Sequence, residues 1–311
     1  LGESKAQEPS APPEPAERLN ATETGQVLTS LNTTELYAYH LELVKDLPPA
    51  VPIPADAQKA QDFQEQVRAA MRRYLKFPEP RAAVEGAVEG HSSDWGLAVE
   101  KGRLLVEDGI YVPYSFYTAP EGVEGHISRP TVLVLHERGL SAVAAQGPWM
   151  NRMAQLGMNT LAIDVRATGE TSVAPSRDDG DPYDAMLLGS EASFARKTLN
   201  VGLNLFGGRV FDALRALEYL RTRWDVVHER ISLVGIGRGA LWALYASALD
   251  GKVEHTVLLR GLGTYKALVE RLRNNHHFSL YLPGALREFD LPHVAACVAP
   301  RRLTLLNTVD Q

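Results

Sequence analysis

Five short apolar runs, residues 131–135, 159–165, 231–236, 256–259 and 302–307, recur through the second half of the chain with helix-like segments between them. A strand that is apolar at nearly every position has no wet face, so both of its sides have to be covered. The intervening segments 145–155, 209–223 and 240–249 carry helical patterning and supply that cover. Such alternation predicts an α/β architecture: a mainly parallel central sheet with helices on both faces.

Upstream the pattern changes. Residues 103–106 and 110–117 read as two strands joined at Asp108-Gly109, a hairpin signal of the type I′ kind. They predict an antiparallel edge to the sheet. Before them, Phe63, Val67, Ala70, Met71 and Leu75 fall at helical spacing, with no Gly or Pro after Pro54. That predicts an amphipathic helix packed on the domain. Residues 1–18 are rich in Pro, Glu, Ala and Ser and offer almost nothing to bury, as in an extended linker. The expected organisation is a linker over 1–30, a helical extension over 31–100 and the α/β domain over 101–311. The long polar stretch 167–198 breaks the strand–helix rhythm, and loops of this size in α/β enzymes usually cover a site.

Composition narrows the function classes. The 32 basic and 38 acidic residues give a net charge of -6 without long like-charge runs, so neither nucleic acid nor an anionic membrane is an expected partner. No apolar run reaches the ~18 residues of a membrane span. The single cysteine, Cys297, lies among apolar residues and reads as a buried thiol. Asn20 and Asn32 head glycosylation sequons, which matter only in a eukaryotic secretory setting. The chain opens at Leu1 without an initiator Met or a signal-type apolar core, as expected of a processed protein or a fragment.

The segment most informative about chemistry is Ile231-Ser-Leu-Val-Gly-Ile-Gly-Arg-Gly-Ala240, an apolar strand running through a Gly-rich turn into a helix. It has the frame of the G-x-S-x-G nucleophile elbow, with Gly235 and Gly239 at the flanking positions and Gly237 where the Ser would stand. A dinucleotide-binding turn is the rival reading, but its glycines are spaced G-x-G-x-x-G and follow the first strand of their domain. Here the turn follows at least two earlier parallel strands, so no cofactor is expected. The adjacent pair His276-His277 suggests a metal, but neighbouring side chains do not converge on one ion. Solvated loop histidines are the expectation, and no metal.

Taken together, several segments resemble the acetyl xylan esterase and dienelactone-hydrolase-like branch of the α/β-hydrolases, over roughly residues 106–310. The resemblance rests on Val132-Leu-Val-Leu-His-Glu-Arg-Gly139 in place of the family's HGxG loop, and on Ile163-Asp-Val-Arg-Ala-Thr-Gly169, similar to its D-x-R-G-x-G segment. It rests also on Arg209-Val-Phe-Asp-Ala-Leu-Arg-Ala-Leu-Glu-Tyr-Leu220 ahead of the elbow and on the closing strand ending at Asp310. Thr24-Gly-Gln-Val-Leu-Thr-Ser30 looks like the junction before the second, degenerate unit of two-unit bacterial esterases. The resemblance implies an α/β-hydrolase fold whose C-terminal part is missing or truncated, in an extracellular or periplasmic setting.

Carried over residue by residue, the family's roles give Asp310 as the catalytic acid and Gly237 as a nucleophile position without a nucleophile. The backbone amides of Arg238 and of Arg138 would form the oxyanion hole. Glu137 replaces a family Gly and brings a carboxylate to where an oxyanion would form. The base histidine should follow Asp310, yet the sequence stops at Gln311. His136, at the end of a parallel strand, is the remaining candidate, with an orienting or packing role as the preferred reading. Asp164 and Arg166 are expected to form an ion pair below the site. Two functions follow: a degenerate, non-catalytic unit contacting acylated carbohydrate or an active hydrolase unit, and an active carboxylic ester hydrolase completed by residues outside this chain.

Overall fold

The computed structural model describes residues 12–45, 47, 52–78, 83–119, 127–172, 190–273 and 276–308. It contains two compact units, Leu1–Asp46 and Leu47–Gln311. The first holds three short helices, α1 (Ala16–Leu19), α2 (Val27–Leu31) and α3 (Leu36–Lys45), none of which buries a residue.

The second unit is built on one eight-stranded sheet in the order β1-β2-β3-β5-β4-β6-β7-β8. Its strands are β1 (Glu85–Asp94), β2 (Leu97–Glu107), β3 (Ile110–Thr118), β4 (Arg129–His136), β5 (Asn159–Ile163), β6 (Val226–Ile236), β7 (His255–Leu259) and β8 (Arg302–Leu306). Strands β5, β4, β6, β7 and β8 run parallel, and all five predicted apolar runs are found among them. β1, β2 and β3 add an antiparallel edge, with β1 and the start of β2 falling inside the stretch 31–100. The β2–β3 hairpin turns at Asp108-Gly109 as expected, but only Gly109 has positive φ there, and a register shift follows Leu105. The two-residue turn with both φ values positive is instead Trp95-Gly96, at 51° and 74°, between β1 and β2. That pair is the type I′ signature.

Alternation along the strands divides the core. Leu133, Leu135, Leu161, Ile231 and Leu233 point into the larger cluster beneath α4 (Ala57–Leu75) and the helices that follow. The predicted helical stripe Phe63, Val67, Ala70, Met71 and Leu75 is buried there, and Asp56 caps the helix by accepting from Gln58 N. On the other face Val132, Val134, Ala162 and Val234 pack against α5 (Leu140–Ala144) and α6 (Gly147–Gln155). That cover thins toward β7 and β8, leaving an apolar groove of about 400 Å³ edged by Met153, Met158, Val257, Leu259 and Leu306. Among the described residues the remaining helices are α7 (Ser190–Asn200), α8 (Leu205–Leu220), α9 (Arg238–Asp250), α10 (Lys266–Glu270) and α11 (Leu291–Ala296). Cys297 is buried as expected, and burial pushes its thiol up to about 11. Among the described residues no helix is long and apolar enough to cross a membrane.

Candidate functional site

The Gly-rich turn joins β6 to α9 at the C-terminal edge of the sheet, as its spacing predicts, with α9 opening at Arg238. Gly237 sits at φ 61° and ψ -127°, a left-handed conformation that glycine accepts without a Cβ penalty. Gly235 and Gly239 serve close packing. A Cβ on Gly235 would overlap Ala240 and Gly239 backbone, and one on Gly239 would overlap the Leu135 carbonyl of β4. Gly237 N donates to Leu259 O at 2.9 Å and Glu137 N to Ile236 O at 3.2 Å, so the ends of β4, β6 and β7 are stitched together around the turn.

What lies over Gly237 is a carboxylate. A Cβ built on Gly237 would overlap the Glu137 carboxyl group, which therefore occupies the space a side chain at this position would take. Glu137 Oε2 also accepts from Arg238 N at 3.3 Å, taking one of the two amides expected in an oxyanion hole. The other is taken as well, because Arg138 N donates to His136 Nδ1 at 3.0 Å. His136 is buried, and desolvation holds its pKa below the ordinary histidine value against the opposing pull of Glu137. With Nδ1 accepting, its proton lies on Nε2. The ring thereby holds the β4 loop through the Arg138 amide. Asp310 lies outside the described residues.

Two sequence expectations are corrected here. Asp164 and Arg166 do not pair. Asp164 instead accepts from Leu140 N at 2.6 Å and Glu170 N at 2.8 Å, binding the β4 loop to the β5 loop where Gly139 and Gly169 leave room for it. Arg166 reaches across to α8, where fully buried Asp212 takes its Nη2 at 2.7 Å and its backbone N at 2.8 Å, and Glu107 takes Nη1 at 3.0 Å.

His277 is the second correction, since it is not a solvated loop residue. Its side chain is 15% exposed and belongs to a polar knot that the sequence did not reveal. Glu191 of α7 stands at the centre of that knot. Its Oε1 is 2.6 Å from Arg209 Nη1, 2.7 Å from Arg238 Nη1 and 2.9 Å from Ser279 Oγ, while Oε2 lies 3.7 Å from His277 Nε2. His277 Nδ1 in turn is 2.8 Å from Ser279 Oγ. Burial opposes ionisation of Glu191, but the guanidiniums of Arg209 and Arg238 outweigh it and hold the carboxyl at about 2. Desolvation carries His277 down to about 4 despite Glu191. Arg209 is fully buried, donates to Arg166 O and Ala167 O, and lies 5.0 Å over the Trp242 ring. Serine, histidine and glutamate thus meet, yet Ser279 is buried and its hydroxyl is already shared among Glu191, His277 and Arg209. The geometry is that of a fastener between α7, α8, α9 and the 278–280 turn. Charged residues buried on α8, Arg209 with Asp212 a turn later, are the trace of it in the sequence. Among the described residues no group of three or more His, Cys, Asp or Glu could hold a metal ion.

An eight-stranded sheet with helices on both faces and a strand–elbow–helix at its C-terminal edge defines the class: the chain has the α/β-hydrolase fold. No family model matches it. YtaP of Bacillus subtilis (strain 168), provisionally assigned as a hydrolase, is 25% identical over 222 residues, covering 67% of this chain and 69% of that protein. Among solved structures, a provisionally assigned acetyl xylan esterase from Bacteroides fragilis NCTC 9343 superposes with a TM-score of 0.72 at 17% identity, over 88% of this chain and 75% of the other. A glucuronoyl esterase from Solibacter usitatus does so with a TM-score of 0.55 at 14% identity, over 84% and 80%. At such identities the two structures speak for the fold alone.

Proposed function

We propose that this chain is a degenerate carbohydrate-esterase-like unit, the downstream member of a two-unit protein, that keeps the hydrolase frame as a scaffold or binding unit and does not turn over esters. The observation that carries this reading is the Glu137 carboxylate over Gly237. It stands in the nucleophile's space, and its oxygen takes the Arg238 amide. Acyl transfer needs an activated nucleophile, and it needs amide donors free to meet the developing oxyanion. Here the nucleophile position is glycine, and Arg238 N and Arg138 N are both engaged. A carboxylate at that point also repels negative charge forming on a substrate. The ligands that the related esterases suggest are acylated or acidic carbohydrate, with a second hydrolase unit as partner and an extracellular or periplasmic setting.

The alternative, an acetyl-xylan-esterase-type enzyme completed by residues outside this chain, draws on the preserved elbow backbone at Gly237. An assay with 4-nitrophenyl acetate and acetylated xylan separates the two. Hydrolysis at the level of the buffer control is expected. Saturable hydrolysis that is abolished by one substitution in this chain would refute the non-catalytic reading.

A further inference from the structure

The β1–β2 turn carries a residue that its backbone does not favour. Its first central position, at φ 51°, suits Asn, Asp or Gly, and a bulky side chain there is an outlier. Trp95 occupies it. The indole is clamped in place. A Cβ on Gly147, at the start of α6, would overlap the ring, Trp95 Nε1 donates to Ala144 O at 3.0 Å, and Asn151 Nδ2 donates to Trp95 O at 2.9 Å. A ring that served packing alone would be covered, yet Trp95 remains 52% exposed. Backbone strain retained for a half-exposed aromatic is a pointer to function.

Beside this platform opens a polar cleft of about 360 Å³, floored by β2 and β3 and walled by β1 and α5. Asp94, which precedes Trp95, and Ala144, which accepts from its indole, both line the cleft, so the platform stands at its rim. Ser115 and Tyr117 lie buried on the floor and are hydrogen-bonded to each other, with Asp94, Lys101, Ser141 and Glu170 around them. Glu89 on the β1 wall is paired with Arg103 at 3.1 Å, and Asp164, behind Glu170, is held by the amides of Leu140 and Glu170. Asp94, Glu170 and Lys101 form no ion pair among the described residues. Such a lining selects by charge. Two unpaired carboxylates oppose an anion, and the ammonium between them opposes a cation. A neutral polyol suits both, because each hydroxyl can donate to a carboxylate and accept from an ammonium or another hydroxyl. A sugar ring also presents a face of C–H groups, which meets the negative face of an aromatic ring.

We propose that the cleft between the antiparallel edge of the sheet and α5 binds a neutral saccharide, one ring stacked on Trp95 and its hydroxyls held by Asp94, Lys101 and Glu170. The proposal rests on the reading of the chain as a carbohydrate-binding unit, and it places the ligand away from Gly237 and narrows it to uncharged sugars. The cleft lies within the ~300–1,000 Å³ usual for small-ligand sites, and a few polar groups on a shaped surface are what such sites use to orient a ligand.

The test is calorimetric titration of xylotriose, cellotriose and mannotriose into the folded chain, for wild type, Trp95→Asn, Asp94→Asn and Trp224→Ala. Trp95→Asn gives the hairpin Asn-Gly, the pair that type I′ turns prefer, so it removes the platform and keeps the turn. Asp94→Asn keeps the shape of its side chain and preserves the test if the turn variant fails to fold. Saturable binding of at least one trisaccharide is expected, weakened tenfold or more in Trp95→Asn and severalfold in Asp94→Asn. Trp224 is exposed but lines no part of the cleft, and Trp224→Ala should bind as wild type does. The site is refuted if none of the three sugars binds saturably, if either folded cleft variant binds unchanged, or if Trp224→Ala weakens binding as much as Trp95→Asn. Tighter binding of choline or of glucuronate than of any trisaccharide refutes the ligand class. Binding is read without turnover. Ester hydrolysis by a chain that binds sugar in this way would overturn only the non-catalytic reading, and a chain that does neither would overturn only the saccharide cleft.

Discussion

Replacing Gly237 with serine restores the elbow motif on paper and places two separate loads on one Cβ. The first is local. At φ 61° and ψ -127° a residue with a side chain stores about 1–3 kcal/mol of strain that glycine avoids. The second comes from β4, because the new Cβ overlaps the Glu137 carboxyl group and must push it away from Arg238 N. Leaving a partly buried amide unpaired costs up to about 1–3 kcal/mol more. A total near 3 kcal/mol, at roughly 2–4 °C per kcal/mol for a domain of this size, lowers the melting temperature by about 6–12 °C. Glu137→Gly removes the second load only, so the double variant should recover part of the loss. The coupling between the two sites should be at least about 1 kcal/mol, as expected for residues in contact. The measurement is a set of four thermal melts, followed by circular dichroism, on wild type, both single variants and the double variant. Additive effects would refute the claim that Glu137 fills the nucleophile's space, and an unshifted melt for Gly237→Ser would refute both loads. The same samples, assayed with an ester, should gain no activity, because among the described residues the hydroxyl meets no free base: His136 Nδ1 is engaged by Arg138 N. Activity with a histidine-like pH midpoint would overturn that conclusion and make His136 the first residue to substitute.

Stability should fall in acid through the Glu191 knot. Glu191 has a folded pKa near 2, below its ordinary value of 4.5, so its contribution is present above 4.5 and lost as the pH falls toward 2. His277 has a folded pKa near 4 against an ordinary 6.5; the unfolded chain takes up that proton first, so stability also declines as the pH falls from 6.5 to 4. Urea unfolding at pH 7, 5 and 3.5 should show a continuous loss, and His277→Gln should remove the part above pH 4; equal stability at pH 7 and 5 would contradict the His277 assignment. Separately, Asp212→Ala should cost about 3–5 kcal/mol, because it strips the buried partner from Arg166 while leaving the guanidinium largely enclosed. A melt within a degree or two of wild type would show that Glu107 alone satisfies Arg166.

Strand and helix assignments were legible because burial on both faces imposes unbroken apolar runs, and helical cover imposes a 3.6-residue stripe. Both are local patterns, and the sequence carries them at the parallel strands, α4 and the Gly-rich elbow. Residue type at a fixed spacing is likewise what draws notice to Gly237 in the elbow and Glu137 in the β4 loop. The partners of the charged residues were a different matter. Arg166 chose Asp212, 46 residues away, over Asp164, because Asp164 was already held by the amides of Leu140 and Glu170. Glu191 meets Arg209, Arg238, His277 and Ser279 only because four separate elements converge there. Likewise, the amides of Arg138 and Arg238 look like free oxyanion donors in the sequence, and only packing fills them with His136 and Glu137. Apolar periodicity is written along the chain, whereas a hydrogen bond is settled by which groups the fold brings within 3 Å and which of them are already taken.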